Sequence, residues 1–148
     1  MTNSTFKGNI TAKNLKYSSE SRHASVGGLI GYTAQGIVGG EVDCVINAQG
    51  DTGIAVGGVM GTSAADTWTG LTIKADVSAS ADATLGLLLG GKVASSNITV
   101  TLGSTSSPIK ISKQSKINGV AIRADGNDPL SGMPASAIMK VTKVEYID

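Results

Sequence analysis

The sequence predicts an all-β protein: a parallel β-solenoid, β-helix-like, of about three to four coils with an irregular C-terminal cap. Three observations predict it. The string Val26-Gly27-Gly28-Leu29-Ile30-Gly31 returns as Val56-Gly57-Gly58-Val59-Met60-Gly61 and, loosened, as Leu85-Gly86-Leu87-Leu88-Leu89-Gly90, the copies starting 30 and 29 residues apart. A fixed period in that range marks a chain of stacked units. Upstream of each copy lies a stretch that alternates apolar and polar residues, the pattern of a half-buried strand. Aromatic residues make up only 3% against 41% hydrophobic, with 20 glycines, so the core must come from Val, Ile, Leu and Ala, which suit closely stacked strands better than a helical bundle.

Each element follows from its residues. The first alternating stretch turns Ile10 and Ala12 inward, with Thr11 and Lys13 toward water and Gly8 ahead of them. The second turns in Val42, Cys44 and Ile46, the third Leu71, Ile73, Ala75 and Val77, and the fourth Ile98, Val100 and Leu102. Stacked unit on unit, they give one column of Ile10, Val42, Ile73 and Ile98 and a second of Ala12, Cys44, Ala75 and Val100, like on like as a solenoid requires. The glycine-rich string carries large apolar residues on both of its faces, so it is expected to be covered on both sides or bent by a glycine bulge.

Between these stretches the loops are polar, of turn composition. The repeats are expected over 5–32, 37–61, 68–91 and 93–122, followed by a cap over 123–148, all in one domain spanning 1–148. Within the last part, Ile109-Lys110-Ile111 and Val120-Ala121-Ile122 read as strands of an irregular coil, and Ala137 to Ile147 as a closing strand whose Lys140, Lys143 and Glu145 discourage end-to-end pairing. The N-terminal side shows no comparable cap. The expectation is that the chain is part of a longer one that continues upstream, or that Met1 to Lys7 folds over the open end.

The strings Gly28-Leu29-Ile30-Gly31 and Gly58-Val59-Met60-Gly61 resemble the GLUG motif, a short repeat of large bacterial surface proteins, adhesin-like proteins and some secreted metallopeptidases, where it lies beside the protease domain. The resemblance covers roughly Gly8 to Gly91. The third copy departs from it at Leu87, and nothing from Ile109 onward matches it. It implies an extracellular stalk or display module and no activity. That localisation rests on the resemblance, because no signal peptide stands at the start of this sequence.

Chemistry-bearing residues are few. A net charge of +1 gives no reason to expect nucleic acid, and no apolar run is long enough for membrane insertion. One cysteine, Cys44, makes no internal disulfide; it stands in a column with Ala12 and Ala75 and reads as a small buried hydrophobe. His23, the single histidine, lies in a Ser/Arg-rich loop with no partner at metal-ligand or triad spacing. Asp125-Gly126-Asn127-Asp128 holds oxygen ligands suited to calcium, yet it lacks the later glutamate of an EF-hand and reads as an Asx turn. Asp43 and Asp76 come nearest to a carboxylate pair, expected one residue apart in the column alignment. No metal and no cofactor is expected.

Two aromatic residues remain. Trp68 opens the third coil after a polar loop, and Tyr32 ends the first glycine-rich string. An exposed indole stacks on a sugar ring, whereas a buried one covers the edge of a core. The expected function is therefore a non-enzymatic structural or adhesion module of a bacterial surface or secreted protein. Its partners would be other domains of the same chain, or a surface glycan or protein. The alternative is a carbohydrate-binding module using Trp68, Tyr32 and the adjacent loops.

Overall fold

The computed structural model describes residues 1–16, 24–33, 36–50, 53–63, 67–92, 100–122 and 139–148. Over these the protein is all-β, with no helix, and nearly all strand pairing is parallel. Three successive units each supply three strands. The first gives β1 (Thr2–Leu15), β2 (Ala24–Gly27) and β3 (Ile30–Thr33); the second β4 (Ile37–Gly50), β5 (Ile54–Gly57) and β6 (Met60–Ser63); the third β7 (Thr67–Ala79), β8 (Thr84–Gly86) and β9 (Leu89–Lys92). One sheet runs β1-β4-β7, a second β2-β5-β8 and a third β3-β6-β9. The chain therefore visits all three sheets once per unit and returns to the first, one strand along.

The glycine-rich string is two strands. β2 ends at Gly27 and β3 begins at Ile30, so Gly28-Leu29 is the bend that carries the chain from the second sheet to the third. Of the two arrangements left open by the sequence, the string takes the bent one, as a corner between two sheets. Its register is the one the repeat predicts: Val26 pairs with Val56 and Val56 with Leu85, while Ile30 pairs with Met60 and Met60 with Leu89. Glycine is required there by close approach. A Cβ on Gly28 would strike the Gly58 carbonyl and come within 3.1 Å of Val42 Cγ1 and 3.3 Å of Cys44 Sγ. On Gly58 it would strike the Leu87 carbonyl and come within 2.9 Å of Ala75 Cβ. The bend lies against the small Cys44 and Ala75, which explains why both the string and that column lack bulk. Leu87, in the corresponding place of the third copy, is itself fully buried.

In the long sheet the columns are partly as expected. Val42 pairs with Ile73, and Cys44 with Ala75. The first unit is offset from the expected alignment by four residues: Phe6, not Ile10, lies beside Val42, while Ile10 pairs with Ile46 and Ala12 with Ala48. The misalignment arose because Phe6 and Ile10 both point inward on the same period of two, so a shift by two pleats keeps the apolar face intact. Met1 to Lys7 does not fold over the end, since β1 starts at Thr2 and pairs in register with β4 from there.

Beyond the third unit the pattern changes. β10 (Val100–Leu102), β11 (Ile109–Ser112) and β12 (Lys116–Ile117) all pair with β7 and act as one interrupted strand. Leu102 lies beside Trp68, Ile111 beside Ile73 and Ile117 beside Val77. The fourth member of the Val42–Ile73 column is therefore Ile111. Ile98 lies outside the described residues, and Val100 pairs with Met139. Across the break between β11 and β12, the buried Ser115 accepts a hydrogen bond through Oγ from the Ala75 N–H at 3.1 Å. β13 (Val120–Ala121) turns back on β12 in the antiparallel pair. The expected closing strand is two strands, β14 (Met139–Val141) on β10 and β15 (Val144–Ile147) on β11.

All three sheets contribute to a single hydrophobic core that includes Val42, Ile46 and Ile73 from the first, Ile54 and Val56 from the second, and Met60 and Leu89 from the third. Each such fully buried aliphatic side chain stabilises the fold by about 1.5–3 kcal/mol. A second column, not foreseen from the sequence, crosses the long strands. Asn3, Gly39, Gly70 and Gly103 have φ of 46°, 70°, 66° and 72°. The ladder skips Asn3, Gly39 and Gly70, with pairing on either side of each. Glycine adopts this left-handed conformation freely and Asn tolerates it.

Candidate functional site

The outer face of the long sheet carries its charge. Over 5–13 in β1 and 41–49 in β4 the odd-numbered residues point outward, so Lys7, Asp43 and Lys74 form one row across β1, β4 and β7. Asn9, Val45, Asp76 and Lys116 form the next. A groove of about 490 Å³ lies along this face, with Asp43, Lys74 and Asp76 on its floor and Lys113, Gln114, Lys116 and Ala121 at its wall. The floor is built by the alternation of the strands, and the wall by the turn that follows β11 and by the β12–β13 hairpin.

The register offsets Asp43 and Asp76 by two positions, not the one position expected, on the same face: Asp43 lies beside Lys74, and Asp76 beside Val45 and Lys116. Each carboxylate thus has a lysine as its direct neighbour in an adjoining strand, an arrangement that favours a sheet. The face reads as a ladder of balanced charge. Among the described residues no group of three His, Cys, Asp or Glu could hold a metal ion. Beside this groove a second recess of about 490 Å³ is lined by Asn47, Gln49, Ser78 and Ser80. Two of its hydroxyls are committed to the fold: Ser78 Oγ donates to the Ile46 carbonyl at 3.1 Å, and Ser80 Oγ accepts from the Gly50 N–H at 3.0 Å.

Cys44 borders the charged groove through its backbone while its side chain points into the core, 5% exposed. Burial, with Asp43 adjoining, pushes its thiol up to about 11, and the sulfur sits 3.8 Å from the Gly58 carbonyl. A nucleophile needs the thiolate, so Cys44 is a packing residue, as its column indicates.

The aromatic pair is not brought together. Trp68 is in the long sheet, fully buried beside Ile37 and Leu102; Tyr32 is in the third sheet, 51% exposed. An indole shut off from solvent presents no face to a sugar, so the expectation of a sugar platform at Trp68 is corrected: it fills the core, and its Nε1 has no hydrogen-bond partner among the described residues. Tyr32 alone has no second ring beside it in the pairing of β3 with β6. His23 and Asp125 to Asp128 lie outside the described residues.

Sequence reasoning missed the groove because its wall comes from 113–121, in the irregular last coil where the repeated pattern degrades. Its lysines, Lys74, Lys113 and Lys116, are scattered along the sequence, and the pairing of β12 with β7 sets Lys116 beside Asp76. Compared with protein-family models, curated proteins and solved structures, the chain matches none of them.

Proposed function

We propose that this chain is a non-enzymatic structural module, a parallel β-solenoid whose stacked coils hold loops or a neighbouring domain out from a bacterial surface or secreted protein. One observation carries the reading. Three consecutive units each place one strand in each of three parallel sheets, in matching register, around one shared core. That order supports the solenoid reading, in which the free energy resides in the contact of each unit with the next. The strings that resemble the GLUG motif fit this role, because they form the bends where glycine lets successive layers close on one another. An outer face of balanced charges suits a stalk in water better than a reaction centre.

An insertion series tests it. Extra copies of residues 37–66 placed after position 66 should fold cooperatively, and each should lengthen the particle in solution scattering by about 4.8 Å, the spacing between neighbouring strands. A length that fails to grow, or growth accompanied by loss of cooperative unfolding, would contradict the stacked-coil reading. Cleavage of any polysaccharide in a panel of acidic and neutral substrates would contradict the structural role.

A further inference from the structure

Among the described residues, the first unit has a neighbouring unit on one side alone. β1 pairs only with β4, β2 only with β5 and β3 only with β6 among the described residues. The effect is largest at β1, which is 14 residues long. Its inner side chains Phe6, Ile10, Ala12 and Leu15 are packed against the core yet only partly buried, whereas Val42 and Ile46 of β4 are 1% and 0% exposed. In a parallel pair, alternate N–H and C=O groups of a strand point to either side. Those of β1 that face away from β4 have no strand partner among the described residues.

The charge on this edge has one sign. Residues 1–16 contain Lys7, Lys13 and Lys16 and no carboxylate, and all three lysines are exposed. On its inner side β1 meets an acidic strand: Lys7 Nζ lies 2.8 Å from Glu41 Oε1 of β4, and Lys7 is beside Asp43 in register. A second copy of β1 on the open side would set lysines against lysines, which is unfavourable and is a common guard against edge-to-edge pairing. The complement of this edge is an extended segment with apolar residues on one face and carboxylates on the other. Backbone hydrogen bonds would supply affinity, and side-chain matching the selection.

We propose that the free edge of β1 is a docking site for an acidic, β-forming segment, which adds to the long sheet as a parallel strand beside Phe6 and Ile10 with its carboxylates toward Lys7, Lys13 and Lys16. The proposal rests on the pairing of β1 and is independent of the display role. The probe is a labelled synthetic peptide with the sequence of residues 37–50 carrying Cys44→Ser, the acidic strand that β1 already accepts on its other side. Titrated against the full chain, it should bind saturably, and it should slow amide exchange across 2–15 while leaving exchange at 144–147 unchanged. The same peptide with Glu41→Gln and Asp43→Asn should bind about fivefold more weakly, the effect of losing two cross-strand charge pairs. A full chain with Lys7→Gln, the exposed lysine that Asp43 would face in the register β1 already uses, should show a similar loss for the acidic peptide. N-methylation of alternate peptide residues should abolish binding for one alternate set only, because a single peptide edge meets β1. No saturable binding, equal affinity for the neutral peptide, protection at 144–147 in place of 2–15, or self-association of the chain through β1 would each overturn the proposal.

Discussion

β1 and β4 are each 14 residues long, pair in parallel and alternate apolar with polar side chains, yet their inner faces have different fates. β4 has a strand on both sides and buries Val42, Cys44, Ile46 and Ala48 to 5% exposure or less. β1 has a strand on one side, and its inner residues stay half-buried. The same local pattern therefore yields a strongly held strand or a weakly held one according to how many layers cover it. In a stacked structure stability belongs to the contact between units.

The sharpest way to break the comparison is at the bends. Gly57→Val would drive a Cβ into the Met60 carbonyl and to 2.7 Å from Gly90 N and Leu88 O. These are backbone atoms with nowhere to retreat, so the variant should show no cooperative thermal unfolding. Gly27→Val should fail equally, since its Cβ would lie 2.6 Å from Met60 Cα and 2.7 Å from Gly61 N. At the bends the first unit is as crowded as the second, because the crowding comes from the bend's own carbonyl and from the unit that follows.

Within the long strands the two units should separate. Ile46→Ala removes a fully buried side chain and should cost about 2–5 kcal/mol in chemical denaturation. Ile10→Ala, its direct neighbour in β1, leaves a gap open to solvent on one side and should cost less than about 2 kcal/mol. Equal costs would mean that something covers β1 as fully as β4.

Cys44 gives a smaller, pH-dependent effect. Its thiol is raised from 9.0 to about 11 by burial, so between those values the unfolded chain loses the proton and the folded chain keeps it. Stability linked to Cys44 is therefore whole below pH 9 and is lost as the pH rises toward 11. Denaturation midpoints should fall over that window in the native chain and fall less in Cys44→Ala. In the folded state, alkylation of the thiol at pH 8 should be far slower than in denaturant. Gly8, its counterpart in β1, carries no titrating group. The smallest effect belongs to the exposed pair Lys7–Glu41: Glu41→Gln should leave the unfolding midpoint unchanged within error, because solvent screens such pairs.

The all-β class, the parallel direction and the register of the bends were legible because the glycine-rich string repeats as a string, and its alignment is unique. The alignment of β1 was not. Phe6, Ile10 and Ala12 all fit an inward face of period two, and the sequence offers no marker that separates slips by whole pleats. A marker was in fact present. Gly39, Gly70 and Gly103 are 31 and 33 residues apart, and all take positive φ; aligned on that column, with Asn3 at its head, Phe6 falls on Val42. The last layer was illegible for a different reason: β10, β11 and β12 share one neighbour, β7, and only tertiary pairing reveals that they are one interrupted strand. Trp68 was placed correctly at the start of the third long strand, but sequence alone left open which way the indole faced, and the structure buries it under Leu102 and Ile37.

The account depends most on the lateral register of the long sheet, and proximity cross-linking reads it directly. In a Cys44→Ala background, a short thiol-to-thiol linker should join Thr11→Cys to Asn47→Cys, which are direct partners on the solvent face. It should fail to join Thr11→Cys to Asp43→Cys, four residues further back along β4 and so about 13 Å away. Rapid linking of the first pair alone is the predicted result. Efficient linking of Thr11 to Asp43 would put Ile10 beside Val42, and the layered register described above would be wrong.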